Sequence, residues 1–270
     1  MKYVSLYDNN KIPALGLGTW GMGGGTNPNH AQDEKVMTAI QTALELGYRH
    51  IDTAEMYAGG HTEELVGKAI KGFPRGDLFI TSKVWHNHLQ NQDVRNALEG
   101  SLRRMDIEYL DLYLIHWPNN RVPLEETFTA LNELLGDGLV KYLGVSNFNL
   151  TQLQKAISLS YTPLITNQVH YSLYNRNYEK NGVLAYCQDH NILLTAYTPI
   201  EKGRVSRDKR LKRVAKRYGS TPVQIALAWL IQQTNVIAIP MSTNRVHLEE
   251  NLGALEIELS TDDMTILNRS

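Results

Sequence analysis

The stretch His50-Ile51-Asp52-Thr53-Ala54-Glu55-Met56-Tyr57 ends an apolar run and places a carboxylate and a phenol five positions apart, where a strand should give way to a loop. The pattern recurs twice. Lys83 closes Leu78-Phe79-Ile80-Thr81-Ser82, and His116 closes Leu110-Asp111-Leu112-Tyr113-Leu114-Ile115. If these runs are parallel strands of one barrel, Asp52, Tyr57, Lys83 and His116 emerge together on its carboxyl-end face, where barrel enzymes carry their chemistry.

Working outward, short β-rich runs alternate with segments of helical period. Strands are expected near 14–17, 48–52, 78–82, 110–115, 140–145, 165–169, 193–197 and 236–239. Helices are expected near 33–46, 62–71, 93–105, 123–135, 149–158, 179–189, 208–234 (broken near Gly219-Ser220) and 245–252. Asp33, Asp93, Pro123 and Thr221-Pro222 mark helix starts, and Gly47, Gly72 and Gly136 follow helix ends. No Pro/Gly-rich linker divides the chain, so these alternations predict a single (β/α)8 TIM barrel, one domain over 1–270, rather than a doubly wound sheet. Before it, residues 3–6 and 12–17 read as a hairpin turned at Asp8-Asn9-Asn10, which would plug the barrel's bottom.

Composition narrows the function class. A chain of 270 residues, 42% hydrophobic, can bury a large core. A net charge of -1 without long blocks of like charge argues against nucleic acid and against a polybasic membrane patch. The one basic cluster, Lys202 to Arg213, reads as a solvated surface. The amino end has no apolar leader and no run long enough to span a bilayer, so a cytoplasmic location is expected. Cys187 is the single cysteine, set in an apolar helical pattern, and reads as a buried structural thiol.

Singly, each candidate residue has an ordinary explanation: a turn cap for Asp52, a solvated strand end for Lys83, a core imidazole for His116, simple packing for Tyr57. Together they make a proton donor. A phenol with a pKa of about 10 is a poor acid near neutrality, and a neighbouring ammonium would favour its phenolate. Asp52 would hold Lys83 charged, and His116 could donate a hydrogen bond to a carbonyl oxygen beside Tyr57. Two other motifs are set aside. Gly16-Leu17-Gly18-Thr19-Trp20-Gly21 fits G-x-G-x-x-G, but Met22-Gly23-Gly24-Gly25-Thr26-Asn27-Pro28-Asn29 follows where a dinucleotide turn needs a helix. His86-Asn87-His88 sits in a predicted loop and reads as surface, not as a metal-binding strand pair, so no catalytic metal is expected.

The chain resembles the aldo-keto reductases, eight-stranded barrels that reduce carbonyls with a nicotinamide cofactor. The resemblance is carried by Gly16-Leu17-Gly18-Thr19-Trp20, His50-Ile51-Asp52-Thr53-Ala54 with Tyr57, Thr81-Ser82-Lys83, Asp111 to Pro118, Gly144-Val145-Ser146-Asn147-Phe148, Asn167-Gln168, Ala196-Tyr197-Thr198-Pro199, and Ile239-Pro240 leading to Glu249-Glu250-Asn251. It implies reduction of aldehydes and ketones to alcohols, with Tyr57 as general acid, Lys83 and Asp52 tuning it, and His116 orienting substrate. It also implies that NADPH, with NADH possible, is held by Gly18, Thr19, Trp20 and Asp52 at the mouth. Ser146, Asn147 and Gln168 would take the carboxamide and Tyr197 would stack on the ring. Thr198, Pro199 and Ile200 would line the pyrophosphate, and Ile239, Pro240, Met241, Ser242, Thr243, His247, Glu250 and Asn251 the adenosine end. Trp20, Tyr57, Trp85, His116 and Trp117 would wall the substrate pocket.

Two departures matter. Met241 and His247 stand where the family often has Lys and Arg near the 2′-phosphate, which weakens strict NADPH use; Arg245, or Lys202 and Arg204, could supply the charge. The chain also stops soon after Asp262-Asp263, without the long carboxyl-terminal loop of many relatives, so an open pocket is expected. The expected partner is a small carbonyl compound, and the expected state a monomer. An alternative of another class is a cofactor-binding interaction subunit of the same fold with little turnover.

Overall fold

The computed structural model describes residues 1–269. An antiparallel pair, β1 (Tyr3–Ser5) and β2 (Lys11–Pro13), precedes eight parallel strands. These are β3 (Leu17–Gly18), β4 (His50–Asp52), β5 (Phe79–Val84), β6 (Leu110–Ile115), β7 (Val140–Ser146), β8 (Thr166–His170), β9 (Leu193–Tyr197) and β10 (Val236–Ala238), paired in sequence order. The ring closes between its first and last strands: Gly16 N donates to Ala238 O at 2.9 Å, Ala238 N to Ala14 O at 3.0 Å, and Gly18 N to Pro240 O at 3.1 Å. Closure leaves no open sheet edge. A Cβ on Gly18 would lie 2.7 Å from Ile239 O, so this seam requires glycine.

The helices are α1 (Asp33–Glu45), α2 (His61–Ile70), α3 (Asn91–Met105), α4 (Leu124–Gly136), α5 (Leu150–Leu159), α6 (Asn177–Lys180), α7 (Val183–Asp189), α8 (Lys209–Arg217), α9 (Pro222–Ile231), α10 (Arg245–Gly253) and α11 (Thr261–Asn268). Thr221 caps α9 in a reciprocal box with Gln224, with Pro222 at its first position, as its sequence predicts. Three expectations need correction. The helix expected over 179–189 breaks into α6 and α7, because Gly182 adopts φ 84 between them. The second hairpin strand stops at Pro13 instead of running to 17, since the chain must cross from the plug into the barrel wall. Asp33 and Asp93 lie within the first turns of α1 and α3, and neither is the residue before the helix; there they still face the positive end of the helix dipole. Helix α11, which no expectation covered, is capped by Ser260.

Strand parity builds the site. Successive side chains alternate between the two faces of a strand. Ile51, Ile80, Val84, Tyr113, Ile115, Leu143, Val145, Val169, Leu194, Ala196, Val236 and Ala238 join the core between sheet and helices. The opposite parity fills the barrel. At its bottom Phe79, Leu112, Leu114, Tyr142, Leu193 and Ile237, joined by Ile165 from just before β8, cluster with Leu6, Ile12 and Ala14 of the hairpin region, which therefore plugs that end. Tyr142 Oη donates to Asp8 Oδ2 at 2.6 Å and accepts from Asn10 Nδ2 at 2.8 Å, latching the plug. Continuing upward on the same parity, the inward residues become Asp52, Lys83, His116, Ser146, Gln168 and Tyr197. Among the described residues, no helix is long and apolar enough to cross a membrane.

Candidate active site

Lys83 sits near the top of β5, fully buried inside the barrel, and Asp52 ends the neighbouring β4. Parallel pairing of Asp52 with Thr81 leaves Lys83 one step above, within reach across the strands. Its Nζ donates to Asp52 Oδ1 at 2.5 Å, to Thr53 O at 2.8 Å and to Tyr57 Oη at 3.3 Å. Three acceptors satisfy all three ammonium hydrogens, which is what a buried charge requires. Tyr57 opens a 3₁₀ turn, Tyr57–Gly60, in which Ala58 and Gly59 take positive φ. Its ring lies edge-on to His116, centroids 5.7 Å apart, and to Trp20 at 5.0 Å. The four candidate residues therefore meet.

Their electrostatics differ from the expectation in one respect. Burial, with the Asp52 carboxylate adding to it, raises the Tyr57 pKa well above the ordinary phenol value instead of lowering it. Lys83 is paired with the Asp52 carboxylate, and burial depresses its own pKa against that pairing. Tyr57 is accordingly a firmly protonated donor. Burial and the nearby Lys83 charge push the His116 imidazole down to about 2, so the ring is neutral, and its Nδ1 is buried without a hydrogen-bond partner. A neutral imidazole can donate one hydrogen bond without bringing a charge.

The amide cluster converges at the ends of β7 and β8. Gln168 Nε2 donates to Asp52 Oδ2 at 2.7 Å, so this amide also braces the carboxylate from across the barrel. Asn147 Nδ2 donates to His116 O at 3.1 Å and Ser146 Oγ at 3.0 Å, while its Oδ1 accepts from Tyr197 Oη at 2.9 Å. Ser146 Oγ donates to Gln168 O at 2.8 Å. The Tyr197 ring stacks on His170, centroids 5.5 Å apart. Thr19 is buried, with its backbone N and its Oγ1 both donating to Asp52 O at 3.0 and 2.9 Å. Thr198 has φ 52, and Pro199 is buried beside half-buried Ile200.

Farther along the rim, Ile239, Pro240 and Ser242 are buried, Thr243 and Glu250 half-buried, and Asn251 is buried with Oδ1 unpartnered. Met241 and His247 are exposed. Arg245 pairs with Glu249 at 2.9 Å and Arg204 stacks on the Tyr174 ring at 4.4 Å, so two of the three cations suggested for the adenosine end are engaged elsewhere. Lys202 is exposed, at φ 52. Trp85 lies edge-on to His116 at 5.0 Å, and Trp20 and Trp117 are 44% and 42% exposed, leaving the walls open to solvent.

Sequence reasoning passed over two carboxylates. Glu55 Oε1 accepts from Trp85 N at 2.6 Å and lies 3.0 Å from His88 Nδ1, tying the Tyr57 loop to the Trp85 loop; residues 86–88 form a loop, but His88 is held. Glu63, fully buried, accepts from Ser82 Oγ at 2.5 Å and Arg104 Nε at 2.7 Å behind Lys83. The place of Glu55 inside the opening stretch, between Asp52 and Tyr57, was the one available signal.

Known proteins are similar to this chain in sequence and share its fold. The model of the Aldo/keto reductase family matches residues 14–270. The methylglyoxal reductase DkgB of Escherichia coli O157:H7 is 38% identical over 257 residues, covering 93% of this chain and 90% of that protein. Among solved structures, the thermostable aldo-keto reductase Tm1743, crystallised with the inhibitor epalrestat, superposes with a TM-score of 0.97 at 49% identity, covering 99% of both chains. An aldo/keto reductase from Klebsiella pneumoniae in complex with NADP and acetate superposes with a TM-score of 0.88 at 36% identity, covering 97% of this chain and 92% of that one. The chain belongs to the aldo/keto reductase family.

Proposed function

We propose that the chain reduces aldehydes and ketones to alcohols with NADPH, and less effectively with NADH. The observation that carries the reading is the Lys83 ammonium bonded at once to Asp52, Thr53 O and Tyr57 Oη beneath the His116 ring. A reduced nicotinamide supplies the hydride that the carbonyl carbon takes up. Tyr57 gives its phenolic proton to the carbonyl oxygen, and Lys83 stabilises the phenolate left behind. His116 donates a hydrogen bond that holds the carbonyl oxygen beside Tyr57. Trp20, Trp85 and Trp117 exclude water from the apolar part of the substrate.

The residues present fit such a cofactor. Ser146, Asn147 and Gln168 gather amide and hydroxyl groups within reach of a carboxamide, Tyr197 presents a half-buried aromatic ring, and the unpartnered Asn251 Oδ1 is an acceptor for an adenine amino group. To bind there, a carboxamide would compete with the Tyr197 Oη bond to Asn147. The Klebsiella relative's complex with NADP supports the cofactor class, and the DkgB relative's name makes methylglyoxal a sensible first substrate.

The open walls favour breadth, because one methylene changes binding in such a pocket by only about 1–3 kcal/mol. The test is consumption of NADPH and of NADH by the purified chain with methylglyoxal, benzaldehyde, medium-chain aldehydes and simple ketones. Turnover across the aldehydes is expected. Binding of NADPH with no turnover of any of them would overturn the reading in favour of an interaction subunit.

A further inference from the structure

The proposed reduction makes no use of a second group of ligating side chains, located where the glycine-rich loop after β3 meets the starts of α1 and α2. His30 comes from the 3₁₀ turn His30–Gln32, Asp33 opens α1, and His61 opens α2. His61 Nε2 lies 2.7 Å from Asp33 Oδ1, and His30 Nδ1 lies 3.3 Å from Asp33 Oδ2. The two imidazoles lie 4.2 Å apart, centroid to centroid. One ligand atom from each of the three residues falls within 4.8 Å of the others.

Two features make this more than a surface cluster. First, the other nitrogen of His61, Nδ1, is 2.9 Å from Glu64 Oε2. That is the outer-sphere carboxylate which orients a metal-binding histidine and leaves its remaining nitrogen basic. Second, His61 is held before any ion arrives. It is 4% exposed, and Gly23 packs so closely on it that a Cβ there would come 3.2 Å from the ring and 2.8 Å from Leu65. Thr62 Oγ1 donates to Met22 O at 2.6 Å and fixes the same loop. His30, by contrast, is 71% exposed on its side chain and offers both an entry path and a movable ligand.

Two imidazoles and a carboxylate suit a borderline first-row divalent cation, not a hard cation such as calcium, which prefers oxygen ligands throughout. Zinc bonds of about 2.0–2.2 Å around a tetrahedron separate ligand atoms by roughly 3.4 Å. The Asp33 spacings of 2.7 and 3.3 Å lie within an ångström of that value, and the remaining separation, which stays within 4.8 Å, can close by movement of the exposed His30 ring. We propose that His30, Asp33 and His61 bind one zinc-type divalent cation, with Glu64 orienting His61 and a water completing the coordination. The ion would staple the loop that follows Trp20 to the helix that follows Tyr57. The inference stands independently of the reductase reading.

The test uses the full chain without a polyhistidine tag, stripped of metal and titrated with zinc by calorimetry, with elemental analysis after dialysis. One equivalent of zinc is expected, together with a rise in melting temperature at saturation. His30→Ala, a change at an exposed position that leaves the core intact, should weaken binding at least tenfold and reduce the thermal shift at a fixed zinc concentration. His190→Ala, which removes an exposed histidine elsewhere, should leave both unchanged. Failure of the wild-type chain to take up stoichiometric zinc, or equal affinity in His30→Ala, would overturn the proposal.

Discussion

Replacing Asp52 with Asn isolates the electrostatic core of the site. The substitution keeps the shape of the side chain and can keep the bond from Gln168 Nε2, but it removes the counter-charge 2.5 Å from Lys83 Nζ. Lys83 is fully buried, and its remaining partners, Thr53 O and Tyr57 Oη, are neutral. Breaking a buried pair by removing one partner typically destabilises a protein by about 3–5 kcal/mol, whereas replacing both partners with apolar groups is often neutral. Asp52→Asn should therefore lose about 3–5 kcal/mol in urea unfolding at neutral pH, and Asp52→Asn/Lys83→Met should recover most of it.

The pH dependence has a definite sign. Burial already depresses the Lys83 pKa, and loss of Asp52 depresses it further. Between the lowered folded value and the unfolded value of about 10.4, the unfolded chain binds more protons, so stability rises with pH across that window. The deficit of Asp52→Asn should consequently shrink as pH rises toward the lysine range. Urea titrations of the single and double variants at two pH values provide the assay. A loss under about 1 kcal/mol, or a double variant no more stable than Asp52→Asn, would refute the claim that this pair is electrostatically isolated.

Other consequences follow from the same geometry. His116 and His50, with pKa values pushed by burial to about 2 and about 4, should show no imidazole titration by NMR between about pH 5.5 and 8. Because the unfolded chain takes up protons below about 6.5 that these folded rings refuse, each should remove stability as pH falls below that value, by up to about 1.4 kcal/mol per pH unit. Met241→Lys, at a site 46% exposed with Arg245 and Arg204 engaged elsewhere, should tighten NADPH about tenfold or more and leave NADH nearly unchanged in fluorescence titrations. Equal tightening of both cofactors would place Met241 away from the 2′-phosphate.

The barrel was legible because its information is local and repeated. Three strand runs each end at a polar residue, so Asp52, Lys83 and His116 can be assigned to one end of a barrel before any contact is known. Ser146, Gln168 and Tyr197 follow at the same end of later strands. What was not legible depends on packing between distant segments. Tyr57 was expected to be acidified by Lys83; instead burial and Asp52 raise its pKa, a balance set by dielectric surroundings that no spacing encodes. Gln168 reaches Asp52 across 116 positions of sequence. Arg245 is close in sequence to the expected phosphate site but is committed to Glu249 one helical turn on. Asp33 was read as a helix-start residue, and only the fold shows its carboxylate between two histidines.

The central claim is that Tyr57 delivers the proton, and Tyr57→Phe tests it most directly. The variant removes one hydroxyl, 3.3 Å from Lys83 Nζ, and keeps the ring that packs against Trp20 and His116. Single-turnover reduction of an aldehyde, measured with NADPH affinity on the same folded sample, should show the rate falling by at least about 10² to 10⁴ while cofactor affinity is unchanged. Near-normal turnover by folded, cofactor-binding Tyr57→Phe would contradict the account.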